Sequence, residues 1–481
     1  MNPRTVAFHT SVLLAMVAAL LGVPALLALY DGEMRSLRAY GIAALVTLAT
    51  SYVLRKLGGP PPESLHRKDA IGIVSLSWLA ISIFGALPFM IEGSIPHPAD
   101  AIFESVSGFT TTGATVVADV DALSRATNLW RCLMHWVGGM GIVVLFIAVF
   151  PQLGVGAKHL FRTEVPGPIT EGLRPRIKQT ALSLWWIYAA LTAMLTVSLW
   201  GMGLPVYEAV CHAFSTMGTG GFSTHSASVG AFHNPAVDWT ISAFMLIAGL
   251  NFGLYYAALR GNYKELFRNY EVRFYLLVNA IVVLVIFLGI QDRHPDSLTA
   301  LRHATFQTLS VTTTTGFMTE DFETYPNVAR FLLLACMFMG GCAGSTAGGI
   351  KASRIYALGL LVVRELRAVI RPQAVIAIRL GSSALSNAVI QGILIYMATY
   401  FMLFAVVSAC MVGMGLDLLS AMSAVVACLS SVGPGLEQVG PTANYGFIPA
   451  AGKLLLALVM IAGRLEIFAL FAILDPECWR R

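Results

Sequence analysis

Four short stretches of this sequence could place many uncharged oxygen atoms close together. Three of them combine glycine with threonine or serine, namely VSGFTTTGATVV (residues 106–117), FSTMGTGGFSTH (214–225) and LSVTTTTGFMTE (309–320), and a looser version reads LSSVGPGLEQVG (429–440). Glycine permits backbone angles that turn carbonyl groups inward, and threonine hydroxyls add further oxygen ligands. Rings of such oxygens can replace the water around a dehydrated cation. The stretches therefore predict a cation site that is built mainly from backbone.

The candidate ligands lie at the centre of each stretch. They are Thr111, Thr112, Gly113, Thr219, Gly220, Gly221, Thr314, Thr315, Gly316, Gly433, Pro434 and Gly435. Our alignment of the stretches uses one glycine from each: Gly113, Gly221, Gly316 and Gly435. Six positions earlier the first three stretches have serine, whereas the fourth has Leu429. The competing interpretation is four unrelated helix ends, where glycine and threonine are also common.

The composition is that of a membrane protein. Of 481 residues, 57% are hydrophobic and only 12% are charged, and the mean hydropathy is +0.73. A soluble domain usually carries about 25% charged residues. Apolar runs at 10–30 and 39–54 predict two N-terminal helices. Because the second run follows the first and no clear small-residue cleavage site separates them, an uncleaved helix is favoured over a signal peptide.

The same order of elements surrounds each glycine stretch. A full-length apolar helix precedes a piece of roughly 10–12 residues, which reaches only about half of the hydrocarbon core and must be re-entrant. The stretch then leads into another apolar helix. We predict an all-α polytopic membrane protein with four pseudo-symmetric units of helix, re-entrant pore helix, loop and helix around one pore. The predicted bounds are 70–151, 181–260, 272–370 and 385–476, after an N-terminal helix pair within 1–58.

The distribution of basic residues predicts the orientation in the membrane. Lysine and arginine concentrate in four segments, 55–69, 152–180, 259–273 and 351–380. The positive-inside rule places these segments in the cytoplasm, together with both termini, so the glycine stretches approach from outside. The basic face is either ordinary orientation charge or a surface for anionic lipid or an acidic partner.

A second glycine-rich segment, at 337–353, interrupts the second long helix of the third unit. Five of the ten residues from 340 to 349 are glycine, and each disfavours continuous helix by about 1 kcal/mol. A phosphate-binding loop is excluded because Ile350 stands where that motif needs lysine. The alternatives are a mobile loop and a helix face of small residues for close packing. The candidate residues of the loop are Gly340, Gly341, Gly344, Ser345, Thr346, Gly348 and Gly349.

Several isolated polar residues are weaker candidates. Arg464, in the apolar run 454–474, is expected to face inward near this loop, because a mid-membrane arginine is costly unless it faces a cavity or a partner. Glu104 either adds negative potential or supports packing, and Lys351 is interpreted as a membrane anchor. We expect His135, His212 and the seven scattered cysteines to be structural, without disulfides or a metal site. No HExxH, GxSxG or pair of intramembrane aspartates predicts an enzyme.

These motifs resemble the TrkH/KtrB/HKT superfamily of potassium transporters. The agreement runs from about residue 70 to the C-terminus, and the two additional N-terminal helices favour the bacterial TrkH branch. It rests on SGFTTTGAT, WVGGMGIVVLFIAVFPQLGVGA (136–157), STMGTGGFST, MGGCAGSTAGGIKASR (339–354) and SVGPGL. The resemblance implies a K⁺ filter at the four aligned glycines, a gate formed by the 337–350 loop beneath it, and residence in a bacterial inner membrane. Glycine at all four positions favours K⁺ over Na⁺ in this family.

The resemblance also implies partners. They are a second copy of the chain, with one pore per protomer, and a TrkA-like cytoplasmic ring that carries a regulatory nucleotide, ATP, ADP or NAD. The chain itself is expected to need no cofactor and to bind no nucleic acid. The predicted function is a K⁺ uptake channel or transporter subunit. The alternative is a coupled K⁺/H⁺ or K⁺/Na⁺ symporter on the same scaffold.

Overall fold

The computed structural model describes residues 1–59, 66–149, 174–372, 377–381 and 383–479. The end of the 136–157 motif and much of the basic segment 152–180 lie outside these ranges. Helices make up most of the described chain, and its only strands, β1 (Arg379–Leu380) and β2 (Ser383–Ala384), pair in one hairpin.

Two long helices precede the repeated units. Helix α1 (Pro3–Asp31) and helix α2 (Met34–Gly58) are joined at Gly32, which adopts the left-handed backbone angle that ends α1. Buried Glu92, in the next helix, ties the pair to the rest of the protein, because it accepts hydrogen bonds from Ser36 of α2 at 2.6 Å and from Ser124 at 2.8 Å.

Four units of similar construction follow. Unit 1 contains α3 (Arg67–Glu92), α4 (Pro98–Phe109) and α5 (Arg125–Val149). Unit 2 contains α6 (Arg174–Gly201), α7 (Val206–Gly218), α8 (Pro235–Gly249), α9 (Phe252–Leu259) and α10 (Tyr263–Arg268). Unit 3 contains α11 (Tyr270–Ile290), α12 (Ser297–Thr312), α13 (Asn327–Met339) and α14 (Ala352–Ile370). Unit 4 contains α15 (Asn387–Gly413), α16 (Leu418–Leu429), α17 (Ala450–Arg464), α18 (Phe468–Ala472) and α19 (Pro476–Trp479).

Six of the described helices are long and apolar enough to cross a membrane. They are α1, α2 and the first helix of each unit, α3, α6, α11 and α15. The pair α8 and α9, bent by 92°, adds a seventh candidate if it is one span. The second helix of each unit, the half-length helix, has 12 to 16 residues and cannot cross alone. The prediction of an all-α polytopic membrane protein with re-entrant half-helices is confirmed.

The last helix of a unit is broken more often than the sequence predicts. We expected one break, in unit 3, and it occurs between Met339 and Ala352. Unit 2 also bends, at Gly249–Asn251, and α17 ends at Arg464, where Glu466 and Ile467 have left-handed backbone angles. The apolar run 454–474 is therefore divided between two helices, and Arg464 is the last residue of α17.

Candidate functional site

Each half-length helix ends in the same turn. A hydroxyl residue adopts a left-handed angle, with φ of 56° at Thr111, 53° at Thr219, 58° at Thr314 and 58° at Ser431. Two residues later a glycine has positive φ, 80° at Gly113, 82° at Gly221, 82° at Gly316 and 96° at Gly433. The amide between them donates to the carbonyl five residues back in all four turns: Thr112 to Ser107, Gly220 to Ser215, Thr315 to Ser310 and Val432 to Ala427, at 2.8 to 2.9 Å.

This shared geometry corrects the alignment of the fourth stretch. Gly433, not Gly435, is equivalent to the other three glycines, and Ala427 rather than Leu429 corresponds to the upstream serines. Gly435 lies two residues beyond the turn, where its amide donates to the Val439 carbonyl at 2.7 Å. A methyl group on Gly435 would lie 2.9 Å from the Ser423 hydroxyl oxygen. The offset arises because the sequence Gly-Pro-Gly offers two glycines and only the first has the required backbone angle.

The four turns contact one another in a closed ring. A methyl group on Gly113 would lie 2.0 Å from the carbonyl oxygen of Gly220. One on Gly221 would lie 2.1 Å from that of Thr315, one on Gly316 2.2 Å from that of Val432, and one on Gly433 2.5 Å from that of Thr112. Each unit therefore abuts the next, and the fourth abuts the first. No side chain fits at these junctions, so the four glycines are required by close approach.

A layer of hydroxyl groups precedes the glycine ring. Left-handed angles are strained for threonine, at about 1–2 kcal/mol per residue, so the surrounding structure must hold Thr111, Thr219 and Thr314 in place. The hydroxyls of Thr111 and Ser431 are buried and have no hydrogen-bond partner among the described residues. Buried hydroxyls of this kind normally have a partner. Uncharged oxygens at a convergence of four turns fit an alkali cation.

Other threonine hydroxyls tie the turns down. In unit 1 the Thr110 and Thr112 hydroxyls are 2.8 Å apart, and in unit 3 those of Thr313 and Thr315 are 2.7 Å apart. Thr110 and Thr313 also donate to the carbonyls four residues earlier. In these positions threonine stabilises the backbone.

The segments that follow the turns form a second closed ring, which we call the outer girdle (residues 114–121, 222–230, 317–324 and 436–446). Ser226 donates its amide to Asp121, at 3.0 Å, and Gly230 donates to the Met318 carbonyl, at 3.1 Å. Glu437 donates its amide to Glu323 at 2.7 Å, and Tyr445 donates to the Thr115 carbonyl at 2.8 Å. The amide of Ser226, followed by the side chain of His225, holds the pKa of Asp121 below its usual range. Each unit is thus connected to both of its neighbours.

A buried ion pair supports the turns of units 1 and 2. Arg131 of α5 donates from Nε to Glu104 of α4 at 2.8 Å, and both side chains are fully buried. Glu104 also accepts from the Thr115 hydroxyl and the Val116 amide, which lie just beyond the first turn. The guanidinium lies 4.0 Å from the centre of the Phe222 ring, just beyond the second turn. The sequence left the role of Glu104 open between negative potential and packing. In the structure Glu104 holds the backbone just beyond the first turn.

Two functional supports were missed in the sequence. Arg131 lies in an apolar helix, and that cost alone signals a buried partner. Tyr445 donates its hydroxyl to the carbonyl of ring residue Gly433 at 2.8 Å, but nothing local in the sequence marks it.

His135 and His212 lie beside the second turn: the His135 ring stacks on Phe222, and His212 contacts the Ser223 hydroxyl at 3.0 Å. Among the described residues, neither histidine belongs to a group of three side chains that could hold a metal ion.

The loop between α13 and α14, Gly340–Lys351, contacts the hydroxyl layer and three units directly. Gly348 donates its amide to the Thr314 hydroxyl at 2.8 Å, and a methyl on Gly348 would lie 2.1 Å from the Ser430 carbonyl of unit 4. Thr346 donates to the Met217 carbonyl of unit 2 at 3.1 Å. The loop therefore lies across the end of the ring that has the hydroxyl layer. Its candidate residues are Gly340, Gly341, Gly344, Ser345, Thr346, Gly348 and Gly349.

The loop is held by backbone groups that the broken helices release. Cys342 donates its amide to the Gly249 carbonyl at 2.9 Å, and Phe252 donates to the Gly344 carbonyl at 3.0 Å, so the bend in unit 2 pairs with the loop. Glu271, at the start of α11 and buried, accepts from the amides of Ala343 and Ser353, at 2.7 and 3.0 Å. One carboxylate thus holds both ends of the loop.

Arg464 connects the loop to unit 1. Its guanidinium donates to the Thr346 carbonyl at 2.8 Å and to the Gly138 carbonyl of α5 at 3.1 Å, and the residue is 5% exposed. The expected inward position near the loop is therefore where the structure places it, with carbonyl oxygens as partners. Glu466 binds Arg354 at 2.7 Å instead of Arg464. Lys351 donates to the Ala347 carbonyl within the loop.

Comparison with known proteins agrees over nearly the whole chain. The model of the TrkH family, described as cation transport protein, matches residues 41–476. The Trk system potassium uptake protein TrkH of Halomonas elongata is 38% identical over 449 residues, which cover 92% of both chains. The protein of that name from Salmonella typhimurium is 38% identical over 488 residues and all of both chains. The crystal structure of the potassium transporter TrkH from Vibrio parahaemolyticus matches with a TM-score of 0.90 at 36% identity, covering 100% of each chain.

We expect Glu104 and Arg131 to be strongly coupled in stability. Removing one partner leaves the other charge buried and unpaired, which costs about 3–5 kcal/mol. Glu104→Gln and Arg131→Met should each lower the thermal unfolding midpoint of the purified protein in detergent markedly. The double variant should lose much less than the sum. The control is Asp31→Asn, which breaks the exposed Arg125–Asp31 pair of equal length, 2.8 Å, and should change little. Strictly additive losses would contradict the coupling.

Proposed function

The chain belongs to the TrkH family of cation transport proteins, which is not a family of enzymes, and from this premise we propose that it is a K⁺ uptake channel or transporter subunit. The relatives named above are potassium uptake proteins and a potassium transporter, and potassium is the cargo we propose for this chain. The single observation that supports the proposal is the closed ring of four turns, in which each glycine abuts a carbonyl oxygen of the next unit.

The ring has the chemistry that a dehydrated alkali cation needs. Four carbonyl groups, those of Thr112, Gly220, Thr315 and Val432, lie at the junctions between units, and the hydroxyl layer lies next to them. Carbonyl oxygens replace a hydration shell without adding the fixed negative charge that would trap the ion. The filter therefore consists of Thr111–Gly113, Thr219–Gly221, Thr314–Gly316 and Ser431–Gly433, with Pro434 following the last turn. Gly435 is proposed to lie outside it.

Selectivity should be weaker than in a filter of four identical chains. The residue between the hydroxyl residue and the glycine is threonine in units 1 and 3, glycine in unit 2 and valine in unit 4. Only units 1 and 3 have the threonine pair that ties the turn down. Pro434 also removes a backbone donor beside the fourth turn. Because the four turns differ in stiffness, they hold the size of the K⁺ cavity less rigidly, and we expect some Na⁺ to pass.

The loop Gly340–Lys351 is the proposed gate. Its contacts with Thr314 and Ser430 support this proposal, because a loop held against the hydroxyl layer obstructs the proposed ion path. Arg464 adds a positive charge that opposes cations and fixes the loop by binding the Thr346 carbonyl. Opening requires the loop to leave both contacts. The glycines of the loop supply the backbone freedom that such a movement needs.

The proposal includes the partners that the family resemblance implies: a second copy of this chain, and a TrkA-like cytoplasmic ring that binds ATP, ADP or NAD. Helix α14 begins directly after the gate, and its last turns are uncovered, with Leu366 62%, Val369 81% and Ile370 77% exposed. A partner that binds this end could move the loop through the helix. We propose a bacterial inner membrane with both termini cytoplasmic, where 100 mV drives a monovalent cation inward with about 2.3 kcal/mol.

Gly433 and Gly435 provide a matched test of the filter. In Gly433→Ala the new methyl meets the Thr112 carbonyl, at 2.5 Å, and should distort the ring, whereas in Gly435→Ala it meets mainly the Val439 and Ser423 side chains outside it. We expect the ratio of K⁺ to Na⁺ flux into proteoliposomes, measured with ⁸⁶Rb⁺ and ²²Na⁺, to fall about tenfold in Gly433→Ala, a change of about 1.4 kcal/mol. Gly435→Ala should retain the ratio.

An unchanged ratio in Gly433→Ala, with flux intact, would remove Gly433 from the filter. The same liposomes separate an uncoupled pore from a symporter. We expect the reversal potential to follow the K⁺ gradient alone. A reversal potential that shifts with external pH or Na⁺ would indicate coupled transport on this scaffold.

Arg464 tests the gate. Arg464→Met removes both carbonyl contacts and the charge, so basal ⁸⁶Rb⁺ flux without any regulator should rise several-fold. The control is Lys453→Met, which removes another buried cation of α17, one that binds Asp100 at 2.7 Å instead of the loop. It should leave basal flux unchanged. A folded Arg464→Met protein whose flux equals the wild type, or falls, would contradict the role of Arg464 in closing the gate.

A further inference from the structure

Three side chains that the ion path does not use meet beside the outer girdle. His294, His303 and Glu320 each offer one ligand atom, and these atoms all lie within 4.8 Å of one another. Nε2 of His294 is 3.5 Å from Glu320, and Nδ1 of His303 is 3.9 Å from its other oxygen. The two imidazole rings are stacked with centroids 5.1 Å apart. No other group of three histidine, cysteine or acidic side chains in the described residues is arranged to hold a metal ion.

Each of the three residues is positioned by structure that does not depend on the others. His294 has extended backbone in the connection between α11 and α12. His303 is in the second turn of α12, whose N-terminus is capped by Asp296 through the Thr299 amide at 2.8 Å. Glu320 is the fourth residue after filter glycine Gly316. The cluster therefore joins three backbone segments of unit 3.

Neighbouring polar groups orient the three side chains. The Tyr325 hydroxyl donates to Glu320, and the Thr319 hydroxyl lies 2.8 Å from Nδ1 of His303. Nε2 of His303 faces Arg302 at 3.3 Å, and Arg302 in turn binds Asp238 at 3.2 Å. Hydrogen bonds to a ligating carboxylate, such as the one from Tyr325 to Glu320, are usual around a protein metal site. Nδ1 of His303 faces the cluster. Because arginine only donates, metal binding through Nδ1 requires Arg302 to release Nε2, which then carries the imidazole proton.

We propose that His294, His303 and Glu320 bind a divalent transition metal, with Zn²⁺ as the best match. Two imidazoles and one carboxylate are a ligand set that Zn²⁺ uses, with water in the fourth position. Bonds of about 2.0–2.2 Å put tetrahedral ligand atoms about 3.4 Å apart. The two histidines lie 3.5 and 3.9 Å from different oxygens of Glu320, and all three ligand atoms lie within 4.8 Å, so a metal would draw them slightly together. The three side chains are 13 to 24% exposed, which leaves room for that water. K⁺, Mg²⁺ and Ca²⁺ prefer all-oxygen sites, so the cargo does not compete.

A bound metal would fix the outer end of the third filter turn. It would tie Glu320, in the outer girdle, to His303 of the half-length helix that carries this turn. External Zn²⁺ should then slow K⁺ uptake, because the outer entrance of the filter becomes less able to adjust to the ion. This consequence rests on the proposed function, whereas metal binding itself does not.

Binding is measured on the purified full-length protein in detergent, stripped of metal with a chelator and titrated with ZnCl₂ near neutral pH. We expect about one Zn²⁺ per chain by calorimetry or by competition with a chromophoric chelator. His294→Ala and Glu320→Gln should each weaken binding by at least tenfold, roughly the loss seen when outer-shell partners are removed. His97→Ala, which removes an exposed histidine far from the cluster in sequence, is the matched control and should bind like the wild type.

The proposal is overturned if the wild type binds no stoichiometric Zn²⁺, or if His294→Ala and Glu320→Gln bind it as tightly as the wild type while eluting as folded protein. Glu320→Gln preserves the shape of the side chain, so it still tests the site if His294→Ala fails to fold.

In proteoliposomes, external Zn²⁺ should slow ⁸⁶Rb⁺ flux through the wild type and His97→Ala but not through His294→Ala. Zn²⁺ binding without this inhibition would overturn the effect on flux. Absence of any K⁺ flux would count against the proposed function and leave the binding result standing.

Discussion

The structure depends on one constraint: backbone groups at membrane depth must be satisfied by protein or must line an ion path. Four turns leave helical geometry where they meet in one ring. In each turn one amide is satisfied by the carbonyl five residues back, and a carbonyl oxygen lies at each junction between units. The approach is so close that only a hydrogen fits on four α-carbons, at Gly113, Gly221, Gly316 and Gly433. The half-length helices, which deliver the turns to this depth, follow from the same constraint.

Buried charge is placed around the ring to hold it. Glu104 and Arg131 connect the exits of the first and second turns, and Tyr445 supports the carbonyl of Gly433. On the side of the hydroxyl layer, Arg464 and Glu271 bind backbone atoms of the loop Gly340–Lys351, the proposed gate. A buried carboxylate that bound only the transported cation would compete with the ring carbonyls for that cation. Here the described charges near the path bind backbone or each other, so the ring is left with uncharged oxygens.

The sequence predicted the class of the fold and the four turns, because hydrophobic length and glycine–threonine composition are local signals. It failed where the decisive signal is three-dimensional. The register of the fourth turn depends on Ser431, whose left-handed angle cannot be read from Ser-Ser-Val-Gly-Pro-Gly. The bend at Gly249–Asn251 lies in a continuous apolar run and is stabilised by the distant loop. Arg131 and Glu104 are 27 residues apart and on different helices. Pairing across elements leaves no periodic pattern.

The central claim is that the four turns jointly coordinate one file of dehydrated cations. Anomalous diffraction from crystals grown with Rb⁺ or Tl⁺ in place of K⁺ tests this most directly. The account predicts anomalous peaks inside the ring, coordinated by the carbonyl oxygens of Thr112, Gly220, Thr315 and Val432 together. Peaks bound by a single turn, or cations found only at carboxylates outside the ring, would contradict it.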